Sequence, residues 1–414
     1  MNPLSDSRLA VNGRMAATMT IAQWLSTAAV LGLAAASAQP VKLPPPFHTP
    51  SASNPPRVIE RPDGARLQVP AGFDVQEFAS GFERPRYMIY GPAGEILLSD
   101  SMRPGKVYAL VDRNHDNSIT DDEKTVLLEG LDRPFGLALW KEFLYVAETT
   151  SVKRYKYDPK KLQASSPEEI VPLKEAATGH WTRTILFDRK GEKFYLAVGS
   201  QSNVSPGEPE TRAAILRFNP DGSGREFVAT GTRNPIGLDF YPGTDTLWAA
   251  VQERDGLGDD LVPDYFTSIR FGGFYGWPYA YIGPNEDPRN RGQRPDLVAK
   301  TIVPDVILPA HVAVLDARFY TGKMFPERYR GGAFLAFHGS WNRSQRIGYS
   351  VAFIPFKDGK PAGPPEDFLT GFMLDPSRKE VWGRPVGLLQ MKDGSLLVSD
   401  DGGNRLWRIT YSRP

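Results

Sequence analysis

From Arg84 onward the chain is written in short apolar runs broken by turns of Gly, Asp and Asn, and one phrase keeps returning. It starts with Arg-Pro or Asn-Pro, continues as a strand-like run, turns, gives a second run and ends in a polar tip. Clear copies are Arg84-Pro85-Arg86-Tyr87-Met88 with Ile96-Leu97-Leu98-Ser99-Asp100, and Arg133-Pro134-Phe135-Gly136-Leu137 with Phe143-Leu144-Tyr145-Val146-Ala147. Two more are Asn234-Pro235-Ile236-Gly237-Leu238 with Leu247-Trp248-Ala249-Ala250, and Arg384-Pro385-Val386-Gly387-Leu388 with Leu396-Leu397-Val398-Ser399. Looser copies begin at Thr182 and Ala317. Runs this short and this aromatic favour strands over helices. A period of about fifty residues, with three or four strands per unit, marks a β-propeller: one small sheet cannot bury both faces and must stack against neighbours in a ring. Six copies predict an all-β, six-bladed β-propeller over residues 70–414. A pair of β-sandwiches is the competing architecture, but it has no reason to repeat Arg-Pro at each sheet. Propeller loops converge at one end of a central channel, so site residues are expected on those loops.

The N-terminus departs from this pattern. Residues 21–36 are almost all small or apolar, Arg8 and Arg14 lie upstream, and Ala36-Ser37-Ala38 closes the stretch. That predicts a secretory signal peptide over 1–38, cut after Ala38, and hence a periplasmic or secreted protein. An uncleaved membrane anchor is the alternative, although Gln23, Ser26 and Thr27 interrupt a run shorter than the roughly twenty residues a span needs. Residues 39–69, rich in Pro and Ser, read as an extended leader. Lys+Arg number 49 and Asp+Glu 48, a net charge of +1, which argues against a nucleic-acid partner. Cysteine is absent, which excludes disulfides, c-type haem, iron–sulfur clusters, Cys-ligated zinc and thiol catalysis.

Candidate chemistry then narrows to a few loops. Among the five histidines, His180 (in Gly179-His180-Trp181-Thr182-Arg183), His311 and His338 (in His338-Gly339-Ser340-Trp341-Asn342-Arg343) sit where loops should reach the channel mouth, as a general base must. The alternative for each is a structural hydrogen-bonding group. Arg233 beside Asn234 offers a planar fork for a carboxylate or a quinone oxygen, or else a propeller salt bridge. The stretch Gln252-Glu253-Arg254-Asp255-Gly256-Leu257-Gly258-Asp259-Asp260 is dense in hard oxygen donors, suited to calcium or to plain solvation. Gly273 to Tyr279 reads as a rigid aromatic wall. Asp112, Asn114, Asp116, Ser118 and Glu123 fall at the ligand positions of an EF-hand loop. Asn117 replaces the turn glycine there and the flanks are strand-like, so a hairpin turn competes with a structural calcium site.

Together Gly179 to Arg183, Gly199-Ser200-Gln201-Ser202-Asn203, Arg233 to Leu238, Glu253 to Pro263, Tyr275-Gly276-Trp277-Pro278, His338 to Arg343 and Ser399 to Arg405 resemble a known family. It is that of the soluble glucose and sorbosone dehydrogenases dependent on pyrroloquinoline quinone (PQQ), most closely the sorbosone dehydrogenase branch. The resemblance spans residues 70–412 and implies a six-bladed propeller that uses PQQ and Ca2+. It implies that His180 is the general base and that Arg233 and Asn234 touch the quinone. Gln252 would contact the cofactor, and the backbone carbonyls of Glu253 and Arg254 would hold the calcium. Asp259 matches a loop acid, Arg384 falls near an arginine that pairs with a cofactor carboxylate, and Arg86, His338 and Arg343 are further cofactor-facing positions. The implied activity is oxidation of an aldose, an aldehyde sugar or a related polyol by hydride transfer. Electrons would pass to an external quinone or cytochrome, since this chain can build neither haem nor cluster. Two features depart from the family: Gly179 stands where glucose dehydrogenases carry an acid, and their sugar-binding loops are not recognisable. A calcium-dependent hydrolase of lactonase type and a non-catalytic carbohydrate-binding propeller are the other classes the residues allow.

Overall fold

The computed structural model describes residues 42–412; the expected signal peptide and its cleavage site lie outside them. Six antiparallel sheets of four strands form the blades, the third extended by a fifth strand. Their innermost strands are Pro85–Tyr90, Leu137–Trp140, Arg183–Phe187, Asn234–Phe240, Val314–Phe319 and Pro385–Gln390, which define blades 1 to 6. Blade 6 takes its outer strand from the other end of the chain: Phe73–Ser80 pairs antiparallel with Arg405–Tyr411, Phe73 opposite Tyr411. That pairing closes the ring by joining the two ends of the propeller chain in one blade and supplies blade 6 with its fourth strand. The closing strand lies before the first repeat and carries no repeat signature.

The repeated phrase has a physical cause. At the end of the second strand in blades 1, 2 and 6 a carboxylate turns back onto the backbone amides at the blade's start. Asp100 accepts from Glu83 N (2.9 Å) and Arg84 N (2.6 Å), Glu148 from Asp132 N (2.7 Å), and Asp400 from Arg384 N (2.6 Å). Proline follows in two of these blades as the first strand residue, where a missing N–H costs nothing. The glycine two residues on marks close contact between inner strands. A Cβ on Gly136 would lie 2.5 Å from Arg183 O, on Gly237 2.6 Å from Ala317 N, and on Gly387 2.1 Å from Arg86 O. Blades 2, 4 and 6 therefore press backbone to backbone on blades 3, 5 and 1.

Apolar side chains between blades supply most of the cohesion. Phe334, Phe353, Phe368, Trp382 and Trp407 are all buried in one cluster joining blades 5 and 6, and truncating such a ring to alanine costs about 3–5 kcal/mol. Polar groups tie the channel itself. Arg318 on blade 5 donates to Tyr87 OH (2.5 Å) on blade 1 and to Leu388 O (3.2 Å) on blade 6, while Asp239 on blade 4 accepts from Phe319 N (2.9 Å).

Two segments depart from the plain propeller. An insertion between the last two strands of blade 4 carries Gly273–Phe274, which adds in parallel to blade 3, and Pro295–Lys300, the one α-helix among the described residues. No helix among them is long and apolar enough to cross a membrane. Residues 43–69 do not behave as a detached leader. Arg57–Val58 pairs in parallel with Glu380–Val381, and Gln68 bridges Thr370. The proline-rich chain cannot build a sheet of its own, yet its free amides and carbonyls find partners on the propeller loops.

Candidate active site

A polar cavity of about 350 Å³ opens at the end where the blades begin, and it gathers His180, Asn203, Arg233, Gln252, Glu253 and His311 with the loop acids around them. Strand register explains the convergence. Arg183 faces Val198, Asn234 faces Gln252 and Val314 faces Phe337, so the start of each inner strand lies beside the end of the second.

His180 enters on a turn that only glycine allows. Gly179 has φ +74°, and a Cβ there would lie 2.2 Å from Gln201 O. This accounts for glycine rather than an acid at 179: any side chain before the histidine would strike the 201 backbone. The His180 Nδ1 lies 2.8 Å from Ser200 O and 3.1 Å from Ser200 Oγ, whose own hydroxyl donates to Ser202 O. A carbonyl can only accept, so Nδ1 carries the proton and Nε2 presents a lone pair. Burial, and after it the Arg233 guanidinium, pushes the imidazole pKa down to about 3. The ring is neutral throughout the physiological range.

Arg233 is buried, and each of its three nitrogens donates to the protein while one Nη1 hydrogen stays free. Nε donates to Asn203 O (3.1 Å), Nη1 to Glu253 O (2.7 Å), and Nη2 to Asn203 Oδ1 and Asp255 Oδ2, both at 3.0 Å. Asn234 donates to Gln252 Oε1 (2.9 Å), and Gln252 passes the chain on to Val314 O (3.1 Å). The buried Asn234 Oδ1 has no partner.

Behind these lies a carboxylate–guanidinium layer. The Arg254 side chain is a strut, fully buried and donating to Pro278 O (3.0 Å), Ala280 O (2.5 Å) and Asp287 Oδ2 (3.1 Å). Four carboxylates (Glu253, Asp255, Asp264, Asp287) face three guanidiniums (Arg233, Arg254, Arg289). Asp264 is the one without a cation: it accepts only from Glu253 N (2.9 Å) and Val314 N (3.3 Å). Burial, with Asp255 and Glu253 adding to it, pushes its pKa up to about 7. The buried Glu253 Oε1 is likewise unpartnered. Hard, uncompensated oxygens of this kind fit a calcium ion. No group of three or more His, Asp or Glu among the described residues is placed to hold a metal unaided. Backbone carbonyls, Glu253 O among them, and the oxygens of a bound cofactor would complete the shell.

Arg86, His338 and Arg384 do not line this cavity. They form a second cluster around Asp401, which pairs with Arg86 and accepts from His338 Nε2 at 2.7 Å. Burial alone would raise the Asp401 pKa, but Arg86, His338 and Arg384 hold it well below the usual carboxylate range. Arg384 donates to His338 O (3.1 Å) and Gly339 O (3.2 Å). Arg86 and Arg133 stand over the Trp181 ring at 5.1 and 5.5 Å, which brings the cluster beside His180. Arg84, Arg86 and Arg384 thus surround one carboxylate, and Arg86 Nε is buried without an acceptor. This excess of planar cations fits a polycarboxylate such as PQQ.

Asp259 and Arg343 meet at the rim. Arg343 binds Asp259 O and Asp260 Oδ1, and the Asp259 carboxylate accepts from Ser344; neither lines the cavity. Asp112, Asn114, Asp116, Ser118 and Glu123 lie far along the chain in the hairpin between the last two strands of blade 1. Their oxygens accept from the loop's own amides: Asp112 from Asn117 N (3.0 Å), Asp116 from Ser118 N (2.8 Å), Glu123 from Arg113 N (2.7 Å).

Sequence reasoning passes over several wall residues. Asp255 and Asn342 stand out only as members of polar stretches. Asn342 Nδ2 donates to Asp255 Oδ1 (2.6 Å) and to His311 Nδ1 (3.0 Å), while His311 Nε2 donates to Gly258 O (3.0 Å). Asp264 has a readable signal: it is a lone acid in the apolar run Val262-Pro263-Asp264-Tyr265-Phe266.

A curated relative from Borreliella burgdorferi, described only as an uncharacterized protein, is 32% identical over 361 residues, covering 84% of this chain and 91% of its own. The PQQ-dependent pyranose dehydrogenase of Coprinopsis cinerea is 26% identical over 420 residues, covering 83% of this chain; the match spans about half (54%) of that enzyme. Among solved structures, the Trichoderma reesei Carbohydrate-Active Enzymes family AA12 protein in its calcium form superposes with a TM-score of 0.73 at 20% identity, covering 87% of this chain and all of its own. The holo PQQ domain of the Coprinopsis cinerea enzyme gives 0.70 at 21% identity, covering 86% of this chain and 99% of its own. The TrAA12-like family model matches residues 67–262 and 292–412, and the chain belongs to that family.

Proposed function

We propose that this protein is an exported, PQQ- and calcium-dependent oxidoreductase that oxidises an aldose, an aldehyde sugar or a related polyol. The observation that carries the reading is the bare Nε2 of His180 in a cavity shared with Arg233. Ser200 holds the imidazole in the tautomer whose Nε2 can take a proton. His180 removes the proton from the sugar hydroxyl, while the wall of Arg233, Asp255 and Asn342 fixes the substrate in a narrow polar space. Buried donors oriented in advance cost no reorganisation when charge develops there. PQQ, when bound, supplies the hydride acceptor and calcium polarises it. Glu253 O and the Asp264 carboxylate would hold the ion, and Arg86 and Arg384 would hold cofactor carboxylates. The alanine-rich N-terminus with its Ala36-Ser37-Ala38 end supports export. An external quinone or cytochrome would take up the electrons, because this chain has no cysteine with which to build a cluster or attach a c-type haem.

The test is reconstitution. Purified protein given PQQ and calcium should take up the quinone, and a sugar panel with a dye acceptor should identify the substrate by turnover. His180→Gln should lose about two to four decades of rate while still taking up PQQ. Undiminished turnover in that variant would remove His180 from the role. Lactone hydrolysis without quinone would replace the dehydrogenase with a hydrolase.

A further inference from the structure

The segment ahead of the propeller reaches the active-site wall. Phe47 N donates to Leu257 O (2.8 Å), and Thr49 Oγ1 accepts from Asp259 N (2.7 Å). Gly258, between those two loop residues, has φ +114°, and a Cβ on it would lie 2.8 Å from Thr49 O. Five residues on, Asn54 N donates to Trp341 O (2.7 Å), and Asn54 Nδ2 donates to Arg343 O (3.0 Å) and Ser344 O (3.2 Å). Arg346 returns two bonds, to Asn54 O and Asn54 Oδ1, both 2.7 Å. One stretch of chain therefore binds the blade 4 loop at 257–259 and the blade 5 loop at 341–346.

These two loops make the cavity wall. Gly258 O positions His311, and Asn342 bridges His311 to Asp255, which pairs with Arg233. Trp341 and Asn342 line the cavity. The composition of the segment favours docking, because Pro44, Pro45, Pro46, Pro50, Pro55 and Pro56 restrict the free chain and less entropy is lost when it binds. It lies before residue 67, where the family match begins, and a cut after Ala38 would leave it on the mature protein.

We propose that residues 47–59 are a built-in strap, with Thr49 and Asn54 as positioning residues that hold the two loops of the cavity wall in register for substrate binding. The kinetic half of this rests on the dehydrogenase reading above; the structural half does not. In the full-length chain, Asn54→Ala removes the side-chain bonds to the blade 5 loop. Thr49→Val removes the acceptor for Asp259 N without changing size, and Thr49→Ser keeps it. Amide exchange followed by mass spectrometry should show residues 252–260 and 338–346 both opening about five- to tenfold faster in Asn54→Ala and Thr49→Val, but not in Thr49→Ser. The sugar kcat/KM should fall by a similar factor, mainly through KM, with quinone uptake unchanged. Faster exchange confined to 47–59 would overturn the proposal. Loosened loops with wild-type kcat/KM would overturn its kinetic half and reduce the strap to a stabilising tie. A wild-type chain that oxidised no sugar would sink the dehydrogenase reading instead, and exchange in the two loops would still decide whether the strap holds them.

Discussion

Arg233 offers the sharpest perturbation, because its structural and chemical duties can be separated. Arg233→Met keeps the volume of the stem but removes bonds to Asn203, Glu253 and Asp255. Asp255 then keeps Asn342 as a partner but loses its counter-charge. Removing one member of a buried ion pair costs about 3–5 kcal/mol, and because the Asp255 side chain is still 23% exposed the lower figure applies. At about 2 °C per kcal/mol for a large domain, the melting temperature should drop by about 6 °C. Loss of a preorganised donor beside the reacting centre should lower kcat by about two to three decades, equivalent to roughly 3–4 kcal/mol. Arg233→Lys separates the two effects: it keeps the charge but cannot span Asn203, Glu253 and Asp255 at once. It should recover much of the stability and little of the rate. A third readout is pH. Burial comes first and Arg233 second in depressing the His180 pKa, so Arg233→Met should raise it, and an acidic limb should move toward neutral pH in the rate profile. The assays are calorimetry and dye-coupled turnover of the reconstituted protein from pH 4 to 8. Wild-type kcat in Arg233→Lys, or an unmoved pH profile in Arg233→Met, would refute the reasoning.

Other consequences are equally concrete. Gly179→Asp, which restores the acid found in glucose dehydrogenases, should be destabilised by about 1–3 kcal/mol and slower, because any side chain at φ +74° meets the Gln201 backbone; denaturant titration and turnover would show it, and an improved enzyme would contradict it. The wild type should become less stable as pH falls from about 6.5 toward 3, since the folded state holds the His180 pKa at about 3, below its unfolded value, and so binds fewer protons there. His180→Gln should flatten that slope in a urea series, and an unchanged slope would show that His180 does not contribute. Asp264→Asn should weaken calcium binding measured by calorimetry at least tenfold while raising the melting temperature of the metal-free protein, because it removes a buried carboxylate that no cation faces; unchanged affinity would remove Asp264 from the site.

The fold was legible because several blades reuse the same two local solutions, a cap in blades 1, 2 and 6 and a contact glycine in blades 2, 4 and 6. A carboxylate must cap the amides at the blade's start, and a glycine must admit the neighbouring backbone; both leave marks at fixed spacing, as at Asp100, Asp400, Gly237 and Gly387. The closing strand Phe73–Ser80 left none, because an outer strand meets neither demand. The site was legible where a rare residue type stood at a channel-facing turn, as with His180 and Arg233. It was opaque where function is shared among common polar residues. Asp255 and Asn342 meet across 87 positions of chain, and Gly258 joins them through His311; no local pattern encodes such a partnership. The same holds for Thr49 and Asn54, whose composition spoke of an extended leader and whose partners lie more than two hundred residues away. A proline-rich segment looks idle in sequence because its contacts are hydrogen bonds from a few backbone and small polar groups to distant loops. Those loops, longer and less regular than the blades, are also the part of a propeller that most needs an outside tie if a polar cavity is to keep one shape.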